Sequence, residues 1–409
     1  MQNKLEKCLH PVLAKRETAL LRKKLQDEMK KHDLGYLLLT EPANVFYATG
    51  YMPLVGTSYA MVPAEGEVHL IISTLESADA YASTQEVDVR EFMSWVFIDN
   101  GTEESRKDKG DVMDPDAPIK IALDIFKSIP MDGKLGVEMG HISHHLYGSL
   151  MEALPQGAVV DGSVAVRDAR IVKTPWEIDM LRLAAQQLDL AWKHMAVDIK
   201  PGMPAWKLDA MFIYYSGLLN LEHGTMSRNS GYIPAAGPYF GLCGMPRGYI
   251  LQEGDVIKFD VGFKYLGYNS DIARTFAVGG TTSDAVMEVY DTLYKANRLG
   301  VSMLKPGVPM KDIYNAVRAD VEKSRLLPKY PRGHVGHSIG CGEGAEEYPT
   351  LAPKTTHILE PGMVVCLETP YSATGNAPVK GGFNLEDTHV ITETGIESFT
   401  EMPDNIFWK

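Results

Sequence analysis

The sequence predicts an α/β domain followed by a second domain built from a duplicated unit. Helical and strand patterns alternate up to about residue 160, which is typical of α/β domains. A strong helix start at Thr174 then opens a new unit, in which a KPGxP motif occurs twice. The chain has 409 residues, which is enough for two or three domains.

The elements of the first domain follow from short periodic segments. Residues 12–34 are rich in Lys, Arg, Glu and Leu and predict an amphipathic helix. Apolar runs at 35–40, 59–62 and 68–73 have strand character. Segment 99–116 is rich in Asp, Glu, Lys and Gly and predicts a solvated loop.

The second domain opens with a capping box. Thr174 is placed at the N-cap, Pro175 in the first turn, and Glu177 three residues after the threonine. A long helix is expected from there to about Ile199. We therefore place the boundary near residue 162, which gives domains 1–162 and 163–409.

The KPGxP motifs at residues 200–204 and 305–309 lie in similar surroundings. Each follows a helical stretch and precedes another amphipathic stretch. This predicts a duplicated helix–turn–helix–strand unit, with two halves that face each other across a central cleft. The stretches concerned are 176–199, 205–219, 284–304 and 310–325.

Composition excludes several classes of function. Forty basic residues against 53 acidic residues give a net charge of −13, which argues against nucleic-acid and anionic-membrane partners. No apolar stretch approaches the 18 residues of a membrane span, and no secretory signal is visible at the N-terminus. The four cysteines have no CxxC spacing, so we expect a cytoplasmic protein without a disulfide scaffold or zinc ribbon.

A predicted hairpin carries the sharpest chemical signal. If its turn is centred on residues 265–266, Asp260 lies directly opposite Asp271, and the two carboxylates repel unless a cation lies between them. By this register Phe259 faces Ile272 on the other side of the hairpin. Arg274 belongs to that other side, where an ion pair with a structural role is expected. The alternative is a solvent-facing hairpin with ordinary acids.

Three further residues extend this acid pair. His337 stands in a glycine-rich stretch, and Glu368 ends the apolar run 363–369. Glu386 lies in a similar run, 382–391, which can pair with the first as a hairpin. Each residue taken alone has a structural alternative, as a core histidine or an edge-strand acid. Unpaired burial of these carboxylates is expensive, which favours a shared cation site.

Four carboxylates and one imidazole predict two divalent ions, because one dication cannot balance four negative charges. The oxygen-rich set suits manganese, cobalt, zinc or iron, and the sequence does not choose among them. Two ions about 3.5–4 Å apart hold a bridging water or hydroxide and polarise a carbonyl oxygen. The chemistry implied is hydrolysis of an amide-like bond.

The order of these five residues resembles the metal ligands of the pita-bread metalloenzymes, peptidase family M24, which includes aminopeptidase P, prolidase, methionine aminopeptidase and the metal-free creatinase. Residues 44–51 look like the creatinase-type N-terminal domain, so the resemblance spans nearly the whole chain. It implies a creatinase-type α/β domain, a pita-bread α+β catalytic domain with pseudo-twofold duplication, and a homodimer. It also implies hydrolysis of Xaa-Pro peptides.

The sequence departs from the peptidases of that family at the groups that handle peptides. Two histidines that bind substrate and shuttle protons are absent, one from residues 239–245 and one from residues 340–349. Asn384 stands where those peptidases often have an arginine, two residues before the last glutamate ligand. The alternatives are therefore a non-peptidase that acts on a small polar molecule, by creatinase- or ectoine-hydrolase-like C–N hydrolysis or as a dimethylsulfoniopropionate-type lyase, and a binding protein without catalysis.

Catalytic and pocket residues complete the hypothesis. Glu368 is expected to accept the proton of the attacking water and pass it to the leaving nitrogen. His334 is a candidate for proton transfer, with Glu346 or Glu347 as the alternative. Each of these three is equally consistent with structural hydrogen bonding. The residues expected to line the substrate pocket, or else to belong to the core, are Tyr232, Tyr239 and Cys243.

Overall fold

The computed structural model describes residues 15–54, 57–93, 114–128, 132–223, 231–232, 235–237, 248–373 and 379–407. The chain divides into two compact units, 1–170 and 171–409. The division follows helix Ser163–Ala169, because this helix packs against Thr18–Lys31 within the first unit. The boundary at residue 162 remains a prediction. None of the described helices is both long and apolar enough to span a bilayer.

The first unit is a mixed sheet with helices, as the alternating pattern predicted. Its described strands pair in the order β4-β3-β2-β1-β5-β6. The strands are β1 (Leu34–Leu39), β2 (Tyr59–Pro63), β3 (Val68–Ser73), β4 (Val87–Phe92), β5 (Lys134–Val137) and β6 (Val159–Asp161). The helices are α1 (Thr18–Lys31), α2 (Pro42–Thr49), α3 (Ser77–Ser83), α4 (Ala117–Ser128), α5 (His144–Ala153) and α6 (Ser163–Ala169).

The centre of this sheet is β1, every residue of which is buried. A continuous apolar run of this kind is typical of a strand covered on both faces. The helix predicted from residue 12 begins at Thr18, and residues 1–14 lie outside the described part. The loop predicted at 99–116 also lies largely outside it.

The second unit contains a larger sheet with four helices among its described residues. The helices are α7 (Pro175–Asp198), α8 (Lys207–His223), α9 (Asp284–Met303) and α10 (Met310–Val321). The strands are β7 (Gly231–Tyr232), β8 (Ala235–Ala236), β9 (Val256–Tyr265), β10 (Tyr268–Ala277), β11 (Gly336–Ser338), β12 (Glu347–Thr350), β13 (Val364–Glu368), β14 (Tyr371–Ala373), β15 (Gly381–Phe383), β16 (Glu386–Ile391) and β17 (Ile396–Ser398). The main order is β12-β11-β13-β16-β10-β9-β7, with β17 on β16, β8 on β9, and β14 and β15 as a separate ribbon.

The start of α7 confirms the predicted capping box. Thr174 Oγ1 accepts a hydrogen bond from the backbone N–H of Glu177, and Glu177 Oε2 accepts one from the backbone N–H of Thr174. The helix is anchored on the sheet by Trp192, whose ring contacts the rings of Phe259 and Phe276. The capping box therefore fixes where the helix that covers β9 and β10 begins.

The predicted duplication is also confirmed. Gly202 and Gly307, one in each KPGxP motif, both have a φ of +84°, a conformation that favours glycine. The N–H of Gly202 donates to the carbonyl of Leu251, and that of Gly307 donates to the carbonyl of Leu359, each at 2.8 Å. The two motifs thus make the same turn in the two halves of the second unit.

The hairpin forms, but the predicted register is wrong. Asp260 lies opposite Ala273, and Asp271 lies opposite Gly262. The two-residue loop is 266–267, where both residues have positive φ, as a type I′ turn requires. Moving the turn by one residue shifts each pairing by two positions, and side chains alternate with a period of two. The two aspartates therefore remain on the same face.

Candidate metal centre

Five adjacent strands each contribute one residue to a buried cluster. In spatial order these are His337 on β11, Glu368 on β13, Glu386 on β16, Asp271 on β10 and Asp260 on β9. Glu368 and Glu386 are directly opposite each other in the ladder. The strand order, which brings together residues distant in sequence, therefore assembles the five residues predicted as metal ligands.

The distances within the cluster are short. Asp260, Asp271 and Glu386 each offer a carboxylate oxygen, and these oxygens lie within 4.8 Å of one another. His337 Nε2 lies 3.5 Å from Glu386 Oε1 and 3.8 Å from Asp271 Oδ2. His337 and Glu386 are each 1% exposed, so water screens these charges poorly.

Burial and crowding shift the titration of these groups. Burial, and then the charges of Glu386 and Asp260, raise the pKa of Asp271 well above its usual value. Burial raises the pKa of Glu386 to about 7, although the nearby imidazole of His337 opposes this shift. Burial lowers the pKa of His337, but the nearby carboxylate of Glu386 outweighs this effect and raises the pKa to about 10. The positively charged groups near Asp271 and Glu386 are therefore too few to balance the negative charges of these carboxylates.

The residues fit a divalent ion. Glu386 Oε1 is buried and has no hydrogen-bond partner among the described residues. His337 Nδ1 lies 3.0 Å from the carbonyl oxygen of Ser338, which can only accept, so Nδ1 carries a hydrogen and Nε2 faces the acids. A histidine fixed in this way is typical of metal ligands. Oxygen donors with one imidazole suit divalent ions of the first transition series, as well as Mg²⁺.

The surroundings of Glu368 differ from those of the other acids. Arg332 Nη2 donates to its Oε1, Asn384 Nδ2 donates to its Oε2 at 3.1 Å, and His334 Nδ1 lies 3.3 Å from Oε1. Burial raises the pKa of Glu368, but the charges of Arg332, His337 and His334 outweigh burial and lower it. Glu368 is therefore held in its ionised form.

Sequence reasoning missed two cations in the cluster, Lys258 and Arg332. Lys258 Nζ lies 3.2 Å from Asp260 Oδ2, and its side chain is 3% exposed. A signal for it exists, because Lys258 precedes Asp260 by two positions in an apolar strand and so shares its face. Arg332 lies in the loop before β11 and has no periodic signal. Asn384, noted only as a replacement for arginine, donates to both Asp260 and Glu368.

The other nominated residues have different positions. His334 lies beside Glu368, and its Nε2 is 3.8 Å from Glu346 Oε2. Glu347 Oε1 accepts a hydrogen bond from the N–H of Gly342 at 2.7 Å. Tyr239 and Cys243 lie outside the described residues, as does the side chain of Tyr232. The roles of all these residues remain predictions.

Arg274 makes the structural ion pairs predicted for it, on the opposite face of the sheet. Its Nη2 lies 2.8 Å from Asp387 Oδ1 and 3.3 Å from Asp189 Oδ1, and Nη1 donates to the carbonyl of Glu386. Arg274 lies opposite Phe259 in the ladder, whereas the predicted register paired Phe259 with Ile272; the register shift described above accounts for the difference.

Comparisons with known proteins agree with this architecture. The model of metallopeptidase family M24 matches residues 179–393, and the model of the creatinase/prolidase N-terminal domain matches residues 22–172. Among solved structures, an Xaa-Pro dipeptidase from Bacillus anthracis superposes with a TM-score of 0.78 at 22% identity, covering 96% of this chain and 99% of that one. The prolidase from Pyrococcus horikoshii gives a TM-score of 0.75 at 22% identity, covering 95% and 99%.

Curated relatives align over nearly the full length. The uncharacterized peptidase YqhT of Bacillus subtilis is 28% identical over 387 residues, covering 94% of this chain and 98% of the relative. The Xaa-Pro dipeptidase of Pyrococcus horikoshii is 26% identical, covering 93% and 96%. A creatinase from Bacillus is 28% identical over 279 residues, covering 66% and 67%. The chain therefore belongs to metallopeptidase family M24 and is a metallohydrolase with the pita-bread fold.

Proposed function

We propose that this chain hydrolyses an amide bond in a short peptide of the Xaa-Pro type, with divalent ions held by Asp260, Asp271, His337, Glu368 and Glu386. The observation that carries the proposal is the convergence of one residue from each of five adjacent strands on a buried cluster short of positive charge. Relatives that are Xaa-Pro dipeptidases over nearly the full length support the substrate class.

The bound ions would polarise a substrate carbonyl and lower the pKa of a water, so that hydroxide would be available to attack at neutral pH. Glu368 would accept the proton that this water loses. Arg332 and Asn384 orient its carboxylate, and the positive charge of Arg332 keeps it ionised between turnovers. His334, beside Glu368, is placed to pass the proton to the leaving nitrogen.

Chelation and reconstitution test this proposal. Purified protein is stripped of metal, assayed on a panel of Xaa-Pro dipeptides, and assayed again after addition of Mn²⁺, Co²⁺, Zn²⁺ or Fe²⁺. We expect activity to disappear on stripping and to return with at least one ion. A metal-free preparation with full activity would contradict the proposal.

A second candidate is hydrolysis or lyase chemistry on a small polar molecule. It is favoured by the absence of both peptidase histidines and by Asn384 at the usual arginine position, and a creatinase is among the relatives. The discriminating assay compares Xaa-Pro dipeptides with creatine-like, ectoine-like and sulfonium compounds. Rapid cleavage of Xaa-Pro dipeptides would eliminate this candidate.

We also propose a cytoplasmic homodimer. The four cysteines of the sequence are scattered and have no CxxC spacing, as suits a reducing compartment. Helix α8 exposes Ile213 and Tyr214, and α7 exposes Val197, which gives apolar surface that a second copy can cover. Light scattering coupled to size-exclusion chromatography tests the dimer, and a monomer at micromolar concentration would refute it.

A further inference from the structure

The first unit contains a cavity of about 600 Å³ at one edge of its sheet. Strands β1, β3, β4 and β5 run parallel to one another, because β1 pairs parallel with β5, β3 pairs parallel with β4, and β2 lies antiparallel between β1 and β3. The cavity is lined by Thr40 after β1, Ser73 at the end of β3, Phe92 at the end of β4 and His141 after β5. It therefore lies at the carboxyl ends of the parallel strands.

This edge of the sheet is where a fold of this class binds ligands. From β1 the chain adds β2, β3 and β4 on one side, and it then returns to add β5 and β6 on the other side. A crevice outside the carboxyl ends of the strands, next to such a reversal, is the usual ligand site of open α/β sheets. The volume is also in the range of cavities that hold small molecules. Position and size together favour a binding site.

The carboxylates that line the cavity are those of Glu76 and Asp114, and no lysine or arginine is among the described residues that line it. Asp114 is paired with Lys120 at 2.6 Å and contributes little net charge. Glu76 is 4% exposed, and its Oε1 accepts hydrogen bonds from the hydroxyl of Tyr51 at 2.8 Å and the backbone N–H of Leu54 at 2.7 Å. These two donors are neutral, so they orient the carboxylate without adding positive charge. Because water screens a buried charge poorly, Glu76 favours a positively charged ligand.

The remaining wall of the cavity suits an apolar body with one polar group. Its apolar side chains include Pro42, Tyr59, Leu75, Phe92, Pro118 and Leu146. The rings of Tyr59 and Phe92 add to the selection of charge, because aromatic rings attract organic cations. Ser58, which also lines the cavity, is 6% exposed, and its hydroxyl has no hydrogen-bond partner in the part of the chain that the structure describes. A buried hydroxyl without a partner is costly, so a polar group of a ligand at this wall would be stabilised.

We propose that this cavity binds a small molecule with a protonated amine and an apolar body. Glu76 and the rings of Tyr59 and Phe92 receive the ammonium group, and the aliphatic part of the wall receives the apolar body. A ligand with a carboxylate or phosphate in place of the amine is repelled, because it brings a like charge towards a buried carboxylate. All these residues belong to the first unit, and the inference does not depend on the metal-dependent function proposed above.

Probes that share one phenyl-bearing body and differ in charge test the inference. Phenethylamine is a cation at neutral pH, 2-phenylethanol is neutral and phenylacetate is an anion. Each is titrated into the full-length protein by isothermal titration calorimetry. We expect phenethylamine to bind at least about tenfold more tightly than 2-phenylethanol, and we expect phenylacetate not to displace it. Equal affinities for the amine and the alcohol, or no binding of phenethylamine at millimolar concentration, would overturn the inference.

Glu76→Gln assigns the binding to this cavity. Glutamine keeps an oxygen that accepts hydrogen bonds but loses the charge, so the affinity for phenethylamine should fall to that of 2-phenylethanol. Glu65→Gln is the matched control, because Glu65 is an acid of the same unit with a 74% exposed side chain, and it should leave binding unchanged.

Phe92→Leu covers the case in which Glu76→Gln does not fold. It keeps an apolar side chain but removes the ring, so it should weaken the binding of phenethylamine more than that of 2-phenylethanol. Binding of phenethylamine that neither change weakens would overturn the inference, because the amine would then bind elsewhere on the protein.

Discussion

Buried carboxylates occur in both units, and the two regions satisfy them differently. In the first unit, Glu138 is 4% exposed, and its oxygens accept hydrogen bonds from the backbone N–H groups of Thr40 and Glu41 and from the amide of Asn44. In the second unit, the oxygens of Asp271 and Glu386 face other carboxylates and one imidazole.

This contrast shows that burial of an acid does not by itself indicate function. Fixed N–H donors compensate Glu138, so this residue ties strand β1 to helix α2 and needs no ion. Asp271 and Glu386 lack enough donors among the described residues, and an external cation is the remaining way to offset their burial. The number and charge of the donors around an acid therefore separate a structural carboxylate from a candidate ligand.

The substitution Glu386→Gln is the strongest test of this difference between the two units. This change removes a charge that no lysine or arginine of the described residues compensates, and metal assistance contributes several kcal/mol to such reactions. We expect hydrolysis to fall by about 1000-fold and metal retention to drop, with the fold intact. Elemental analysis and steady-state kinetics check this. Unchanged metal content would mean that Glu386 is not a ligand.

The matched change in the first unit is Glu138→Ala. It leaves the N–H groups of Thr40 and Glu41 buried without their acceptor, so we expect a loss of about 4 kcal/mol in the free energy of unfolding. Denaturant titration measures this loss. Metal content per folded chain should stay at the wild-type value, and a parallel fall in metal content would remove the distinction between the two regions.

A third class of buried ionisable group is represented by His389. Burial lowers its pKa from 6.5 to about 4, and its Nδ1 lies 2.8 Å from Ser398 Oγ. Below pH 6.5, His389 is protonated in the unfolded chain but stays neutral in the native chain. The free energy of unfolding therefore falls as the pH drops towards 4. The expected loss is up to about 3 kcal/mol.

Comparing wild type with His389→Gln isolates this effect. The variant has no titrating group at this position, so the gap between the two unfolding free energies should change between pH 6.5 and pH 4 and stay constant above pH 7. Parallel curves across the whole range would show that His389 titrates normally in the folded protein.

The smallest expected effect is that of Asn384→Ala. The amide donates to both Asp260 and Glu368, so its loss should disorient these carboxylates without removing any ligand. We expect hydrolysis to fall by about tenfold. A pH–rate profile distinguishes positioning from general damage, because Glu368 should titrate at a higher pH once a donor is lost. An unchanged profile would assign Asn384 to packing alone.

Sequence reasoning reached the cluster because its signals are local. A strand pattern assigns Asp260 and Asp271 to one face, and this assignment survives an error in turn position because pairing shifts by two. The turn was misplaced because the positive φ of Leu266 has no sequence signal of its own, whereas Gly267 does. Arg332 was out of reach because its contact with Glu368 depends on the pairing of β11 with β13.

Arg274 is 2% exposed, and its guanidinium donates to the backbone carbonyl of Glu386 from the far side of the sheet. Random mutagenesis scored only by catalytic activity would find position 274 as sensitive as the metal ligands. A replacement there removes the hydrogen bond to the strand that carries Glu386. Measuring how much folded protein each clone yields would separate variants that lose a metal ligand from variants that lose the fold. Inactivating substitutions on the face of the sheet opposite the metal centre would belong to the second group.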